Sequence, residues 1–178
     1  MPLYAIDDLV PNIDPLAFVH PESVIIGNVT IGPHSSIWPC AVLRGDYGTI
    51  VVGEGTSVQD GAVIHCTQGL PTLIGNRVVI GHQAHLEGCR IEDGSLIGVG
   101  SAVLHRAVVG AGATVGAGAV ITNGLEVPPG ALAVGVPAVI KPDRSHPEHI
   151  EAAAQGYIEN AARFLKGLRR LDPSPNFD

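Results

Sequence analysis

A six-residue period runs through most of this 178-residue chain and restricts its fold more than any other feature. An aliphatic residue that follows a small-x pair recurs at Ile26, Ile31, Ile37, Leu43, Val52, Val58, Ile64, Ile74, Ile80, Leu86, Ile91, Ile97, Val103, Val109, Val115, Ile121 and Val127. Most steps are six residues. Those from 26 to 31 and from 86 to 91 are five, and those from 43 to 52 and from 64 to 74 are longer. Helices repeat their apolar residues at three and four, and hairpin meanders carry different turn signals, so neither explains the period. Hexapeptides of this kind mark a parallel β-helix. Each supplies one short strand and one corner, and three make a triangular coil. The aliphatic residue and the small residue two before it both face the interior, because strand side chains alternate. Gly or a polar residue takes the corner.

The composition fits a thin, closely stacked backbone. Hydrophobic residues make up 46% and charged residues only 15%, which excludes a disordered chain. Aromatics are 4%, too few to build a core, whereas Gly numbers 23 and Pro 14. The expected fold class is all-β: a parallel β-helix over 1–142, then a second unit over 143–178 made of an α-helix and tail packed on it. Ser145 and Glu148 suggest a capping box with Pro147 in the first turn. Ile150, Ala154, Tyr157, Ala161, Phe164, Leu165 and Leu168 form an apolar stripe at helical spacing. The pattern predicts a helix over 146–170, with Lys166, Arg169 and Arg170 suited to its C-terminus. The final DPSPNFD is expected to fray.

Several function classes are disfavoured. Net charge is −7 and no basic run precedes the tail, which argues against a nucleic-acid partner. No apolar run is long enough to span a membrane. The opening MPLYAIDDLVPNIDP lacks the charged and apolar regions of a secretory signal. Three cysteines, odd in number and without CxxC spacing, suggest a reducing, cytoplasmic setting.

Residues one coil apart stack. Counting hexapeptides places Arg44, His65 and Glu87 in one outward corner column, with Gln59 and Asp60 beneath Gly81 and His82 on the preceding corner. His85 stacks above Val63. One chain offers too few convergent ligands for a tetrahedral metal site. A second copy supplies the rest, so an interfacial metal in a trimer is expected, with the apolar prism faces buried between subunits.

The segments GNVTIGPHSSIWPCAVLRGDYG, SVQDGAVIHC, PTLIGNRVVIGHQAHLEGC and GALAVGVPAVI resemble the γ-class carbonic anhydrase family of hexapeptide-repeat proteins, over about residues 10–142. The resemblance implies left-handed winding and a homotrimer. It also implies Zn2+ (Fe2+ or Co2+ as alternatives) held between subunits by three histidines, where a metal hydroxide attacks carbon dioxide to give bicarbonate. His65 matches the first ligand and His82 the second. The third position holds Glu87 instead of histidine. Arg44 and Asp46 match the family's intersubunit pair. Gln59 and Asp60 match its polar pair, Gln59 orienting the reacting groups. The acidic loop that carries a proton-shuttling glutamate in some members is absent. Three readings stand open: His65, His82 and Glu87 as ligands; His85 entering in place of Glu87; or no metal. A carboxylate ligand raises the pKa of bound water, so hydration near neutral pH is expected to be weak. The alternatives are an acyl-group enzyme (a CoA-dependent acyltransferase or thioesterase, with His82, His85 or His105 as base) and a non-catalytic siderophore- or ligand-binding protein.

Bland roles are expected elsewhere. Trp38 is read as a face residue at the subunit contact, and His105 as surface or interface. His20, His34, His146 and His149 are read as solvated. Cys66 and Cys89 are read as buried thiols, and Tyr157 as helix packing.

Overall fold

A computed structural model describes residues 2–171. The chain winds into a parallel β-solenoid of about seven turns, closed by a single C-terminal helix, in accord with the left-handed hexapeptide fold. An 8-stranded sheet forms one face of the prism. The other two faces belong to a 12-stranded sheet, because strands Val24–Ile31 and Val42–Val52 bend round a corner without a break. The expected DPSPNFD fraying falls on residues 172–178, outside those described.

Both expected inward positions of each hexapeptide are filled as read. Leu43, Ile64, Leu86 and Val103 are fully buried, and so are the small residues two before three of them, Ala41, Ala62 and Ala84. Such small partners let the coils stack at the strand spacing while the aliphatic residues fill the axis. One assignment is corrected: Ile25 faces inward and fully buried, whereas Ile26 is half-buried on the outside. Alternation along Val24–Ile31 fixes this, and the step to Ile31 becomes six. The long step from Leu43 to Val52 is a bulge. The strand register slips between Gly27 and Val29 as Gly27 pairs with Gly45 but Val29 with Ile50. The extra residues carry Asp46 and the exposed Tyr47 out of the corner.

The helix spans Pro147–Gly167, shorter than expected at its C-terminal end, so only Lys166 of the three basic residues lies in its last turn. The capping box does not form. His146 is the N-cap and makes no side-chain cap bond, while the Ser145 hydroxyl is engaged with Thr114 Oγ1 at 2.7 Å. Ile150, Ala154 and Ala161 are buried against the 8-stranded sheet, but Leu165 and Leu168 are exposed. Trp38 is likewise corrected. It lies beneath this chain's own helix, with its ring against Phe18, Tyr157 and Phe164 at centroid distances of 5.3, 5.7 and 5.0 Å. Its indole N–H donates to Ser36 Oγ at 2.9 Å and Ser57 Oγ at 3.0 Å. The reason is the aromatic stripe on the helix, which covers the 8-stranded face and leaves Trp38 no subunit to meet. Arg77, ion-paired with Glu151, ties the helix to a corner.

Candidate metal centre at the solenoid corners

The register confirms the corner column. His65 pairs with Arg44 below and with Glu87 above. The His65 ring is held between two carboxylates, Nε2 at 3.0 Å from Asp46 Oδ1 and Nδ1 at 2.9 Å from Glu87 Oε1. A neutral imidazole can donate to only one of them, a protonated one to both. Arg44 pairs with the other oxygen of Asp46. The bulge that extrudes Asp46 is what lets a residue of the lower coil reach the ring one coil above. Burial drives the Glu87 carboxyl upward, but the His65 hydrogen bond and its charge, with help from His105 and His85, outweigh it and hold the group below its ordinary value. Asp46 behaves alike: burial raises it, and the bonds from His65 and Arg44 bring it down.

His85, stacked above Val63 as read, directs Nε2 to Glu87 Oε2 at 3.4 Å. His105, expected at the surface or an interface, is a third exposed, but one of its ring nitrogens turns inward. Its Nε2 lies 3.5 Å from Glu87 Oε1 and is buried without a hydrogen-bond partner. The sequence held a signal for this. Carrying the column one coil further up from Glu87 and Gly88 reaches Leu104 and His105.

His82 stands apart. It occupies the other corner with its Nδ1 2.9 Å from Asp60 Oδ2, both half-exposed, and Gln59 is nearly buried beside them. Thus the structure joins Arg44, Asp46, His65, Glu87 and His85, and separately Asp60 and His82. Among the described residues, the three metal-binding side chains whose ligand atoms lie within 4.8 Å of one another are His146, Glu148 and His149. They are exposed at the start of the helix and are not the expected ligands. The expected donor set is chemically suited to a divalent cation: two imidazoles and a carboxylate held ionised. It fits only if His82 comes from a second chain.

The thiols near the column are interior. Cys66 is fully buried and Cys89 nearly so, and burial pushes Cys89 up to about 12. Thiols held protonated in this way are poor metal ligands.

Parallel coils of hexapeptides, an imidazole-carboxylate column on one corner and a histidine on the next define a hexapeptide-repeat solenoid with a divided polar site. The sequence matches the bacterial transferase hexapeptide (six repeats) family over residues 12–45 and 88–123. It is 43% identical over 150 residues to a probable carbonic anhydrase of Methanocaldococcus jannaschii, covering 84% of this chain and 91% of that protein. With the mitochondrial gamma carbonic anhydrase 1 of Arabidopsis thaliana it shares 42% over 137 residues, 74% of this chain but only 50% of that longer protein. The chain belongs to the γ-class carbonic anhydrase family of hexapeptide-repeat proteins. Its fold is also that of a putative acetyltransferase of Bacillus cereus, with a TM-score of 0.88 at 33% identity over 91% of this chain and 95% of that one. No helix among the described residues is long and apolar enough to cross a membrane.

Proposed function

We propose that the protein hydrates carbon dioxide reversibly to bicarbonate at a divalent metal centre, zinc in the first instance, formed between subunits of a homotrimer. His65 and Glu87 of one chain and His82 of its neighbour would hold the cation. When bound there, the cation supplies Lewis acidity that makes water a nucleophile near neutral pH.

The observation that carries this reading is the division of the site. His65 and Glu87 stand 2.9 Å apart on one edge of a prism face, and His82 stands on the other edge of the same face. Between the two edges runs an outward ladder of Val24, Val42, Val63, His85, Ala102 and Val120, apolar except at His85. A head-to-tail contact across that ladder brings one edge of each chain to the opposite edge of the next, and such contacts close into rings.

The chain's own residues then have distinct tasks. Asp46 accepts from His65 Nε2 and fixes the ring plane, which leaves Nδ1, the nitrogen on the Glu87 side, as the one that would meet the cation. Arg44 takes the other oxygen of Asp46 and, second to the His65 bond, helps hold that carboxyl below its ordinary value. Asp60 orients His82 through Nδ1, leaving Nε2 as the atom presented outward. Gln59 beside it is placed to orient the substrate. Glu87 brings negative charge where the family has imidazole, which lowers the expected rate at neutral pH. Three free thiols, two of them buried, support a reducing compartment such as the cytoplasm.

The test combines light scattering, metal content after purification without added metal, and stopped-flow hydration with zinc, cobalt or iron. A trimer whose zinc is lost in both His82→Ala and Glu87→Ala is expected. Coexpressing the two variants should restore a share of the sites, since a mixed trimer pairs the intact halves at one of its three interfaces. A monomer, or full zinc in His82→Ala, refutes the proposal.

Acyl transfer is the second reading, and one feature favours it. The His82–Asp60 pair adjoins a cleft of about 380 Å³ lined by Trp38, Pro39, Tyr157, Asn160, Arg163 and Phe164, under the helix. A histidine oriented by a carboxylate is a competent general base. Thiol release from acetyl-CoA that survives metal removal and is abolished in His82→Ala would establish it.

A further inference from the structure

We propose that His105 is a positioning residue of the metal centre, clamping the Glu87 carboxylate from the coil above; this rests on the metal reading just given. Replacing an imidazole ligand by a carboxylate raises a geometric problem. An imidazole nitrogen has one lone pair fixed in the ring plane. A glutamate has two equivalent oxygens and a broad terminal torsion. For Glu87 to present one oxygen reproducibly, the carboxylate must be held, and ligating carboxylates are commonly held by hydrogen bonds from outside the coordination sphere.

Three imidazoles surround this one. His65 Nδ1 reaches Oε1 at 2.9 Å, His85 Nε2 faces Oε2 at 3.4 Å, and His105 Nε2 faces Oε1 at 3.5 Å. His65 is itself an expected ligand and His85 belongs to the same strand, so His105 is the contribution from outside. Its ring is only partly covered, yet the nitrogen that faces Glu87 is buried and without a hydrogen-bond partner. A hidden polar nitrogen with no partner costs free energy unless an acceptor comes within reach. Glu87 is an acceptor it already faces, and a shift of a few tenths of an ångström makes the bond.

The backbone keeps His105 in place. Its carbonyl accepts from Gly124 N at 2.9 Å, and Arg106 N donates to Gly88 O at 2.7 Å, so the residue is tied to the coils above and below. Gly88 makes the room. It adopts φ +59°, and a Cβ there would fall 2.9 Å from His105 Cδ2 and 3.0 Å from Leu70 Cβ. A residue with a side chain at 88 would push the ring off the corner.

The experiment uses the full-length trimer, stripped of metal, and compares wild type with His105→Ala and His105→Gln. Cobalt is titrated and followed by its visible absorption, and zinc affinity is measured by competition with a chelating dye. His105→Ala should weaken zinc binding by about 10–100-fold and change the cobalt spectrum, because the carboxylate loses its fixed orientation. His105→Gln, which keeps an N–H donor, should recover most of both. Equal affinity and an unchanged spectrum in His105→Ala would overturn the proposal. A double-mutant cycle with Glu87→Gln, read as unfolding equilibria of the metal-free protein, separates this from the metal reading. If wild type binds no metal but the cycle is non-additive by several-fold, the clamp stands and the metal centre falls. If the cycle is additive, the clamp is refuted whatever the metal does.

Discussion

Glu87→Gln removes the charge at the centre of the corner column while keeping its volume, and its cost can be worked from the contacts. The carboxylate accepts one well-formed bond from His65 at 2.9 Å and faces two further imidazoles at 3.4 and 3.5 Å. A hydrogen bond to a charged group contributes about 1.5–3 kcal/mol, and a neutral one about 0.5–1.5 kcal/mol. Glutamine keeps a carbonyl acceptor for His65 but turns an NH2 donor toward a second imidazole. The net loss should be about 1–2 kcal/mol at pH 7, a factor of roughly 5–30 in the unfolding equilibrium. The pH dependence carries the sharper test. Glu87 titrates lower in the folded protein than its ordinary 4.5. Its stabilisation is therefore fully present above that value and disappears as pH falls through the depressed one. Urea melts of metal-free protein, at one fixed chain concentration, should show the variant weaker at pH 7. The two proteins should converge as pH falls well below 4.5. Equal stability at pH 7, or a gap that persists unchanged in acid, would refute the assignment of Glu87 as an ionised hub.

Three further outcomes follow from other parts of the fold. Gly98→Ala should destabilise by about 1–3 kcal/mol or more in chemical denaturation, because its Cβ would lie 2.6 Å from Ala117 N and 2.7 Å from Val115 O in the coil above. Gly94→Ala, at φ +63° with nothing within 4 Å, should lose only about 1–2 kcal/mol of backbone preference; the reverse order would sink the stacking account. Trp38→Ala should cost about 3–5 kcal/mol and loosen the helix, since three aromatic rings rest on the indole; unchanged amide-exchange protection of the helix would contradict it. A thiol reagent at pH 8 should modify the exposed Cys40 promptly and leave Cys89 intact until unfolding. With its pKa near 12 against an ordinary 9.0, the Cys89 thiolate is suppressed roughly 1000-fold.

The divided behaviour of these residues has a physical cause. A hexapeptide period dictates a coil, since one aliphatic and one small residue per corner-to-corner step can be satisfied only by an interior axis. With the coil came the columns: Arg44 under His65 under Glu87, and Asp60 under His82, were set by counting alone. Long-range hydrogen bonding between coils adds little freedom, because every coil must lie in register on the one below. What counting could not supply were departures from the period. The Gly27–Val29 bulge shifts Asp46 to the far side of His65, and alternation along one strand exchanges Ile26 for Ile25. The helix register and the burial of Trp38 beneath it depended on which prism face the tail would cover, and no local signal specifies that. Counting one coil further stacks His105 over Gly88, but that its ring turns to Glu87 through the space Gly88 leaves depends on side-chain direction and on the absence of a Cβ. The sequence by itself determined the winding, the interior and the vertical neighbours, because periodicity is a property of the chain. Only the tertiary structure decided how rings and carboxylates tilt across a corner, because those positions depend on atoms far apart along the chain.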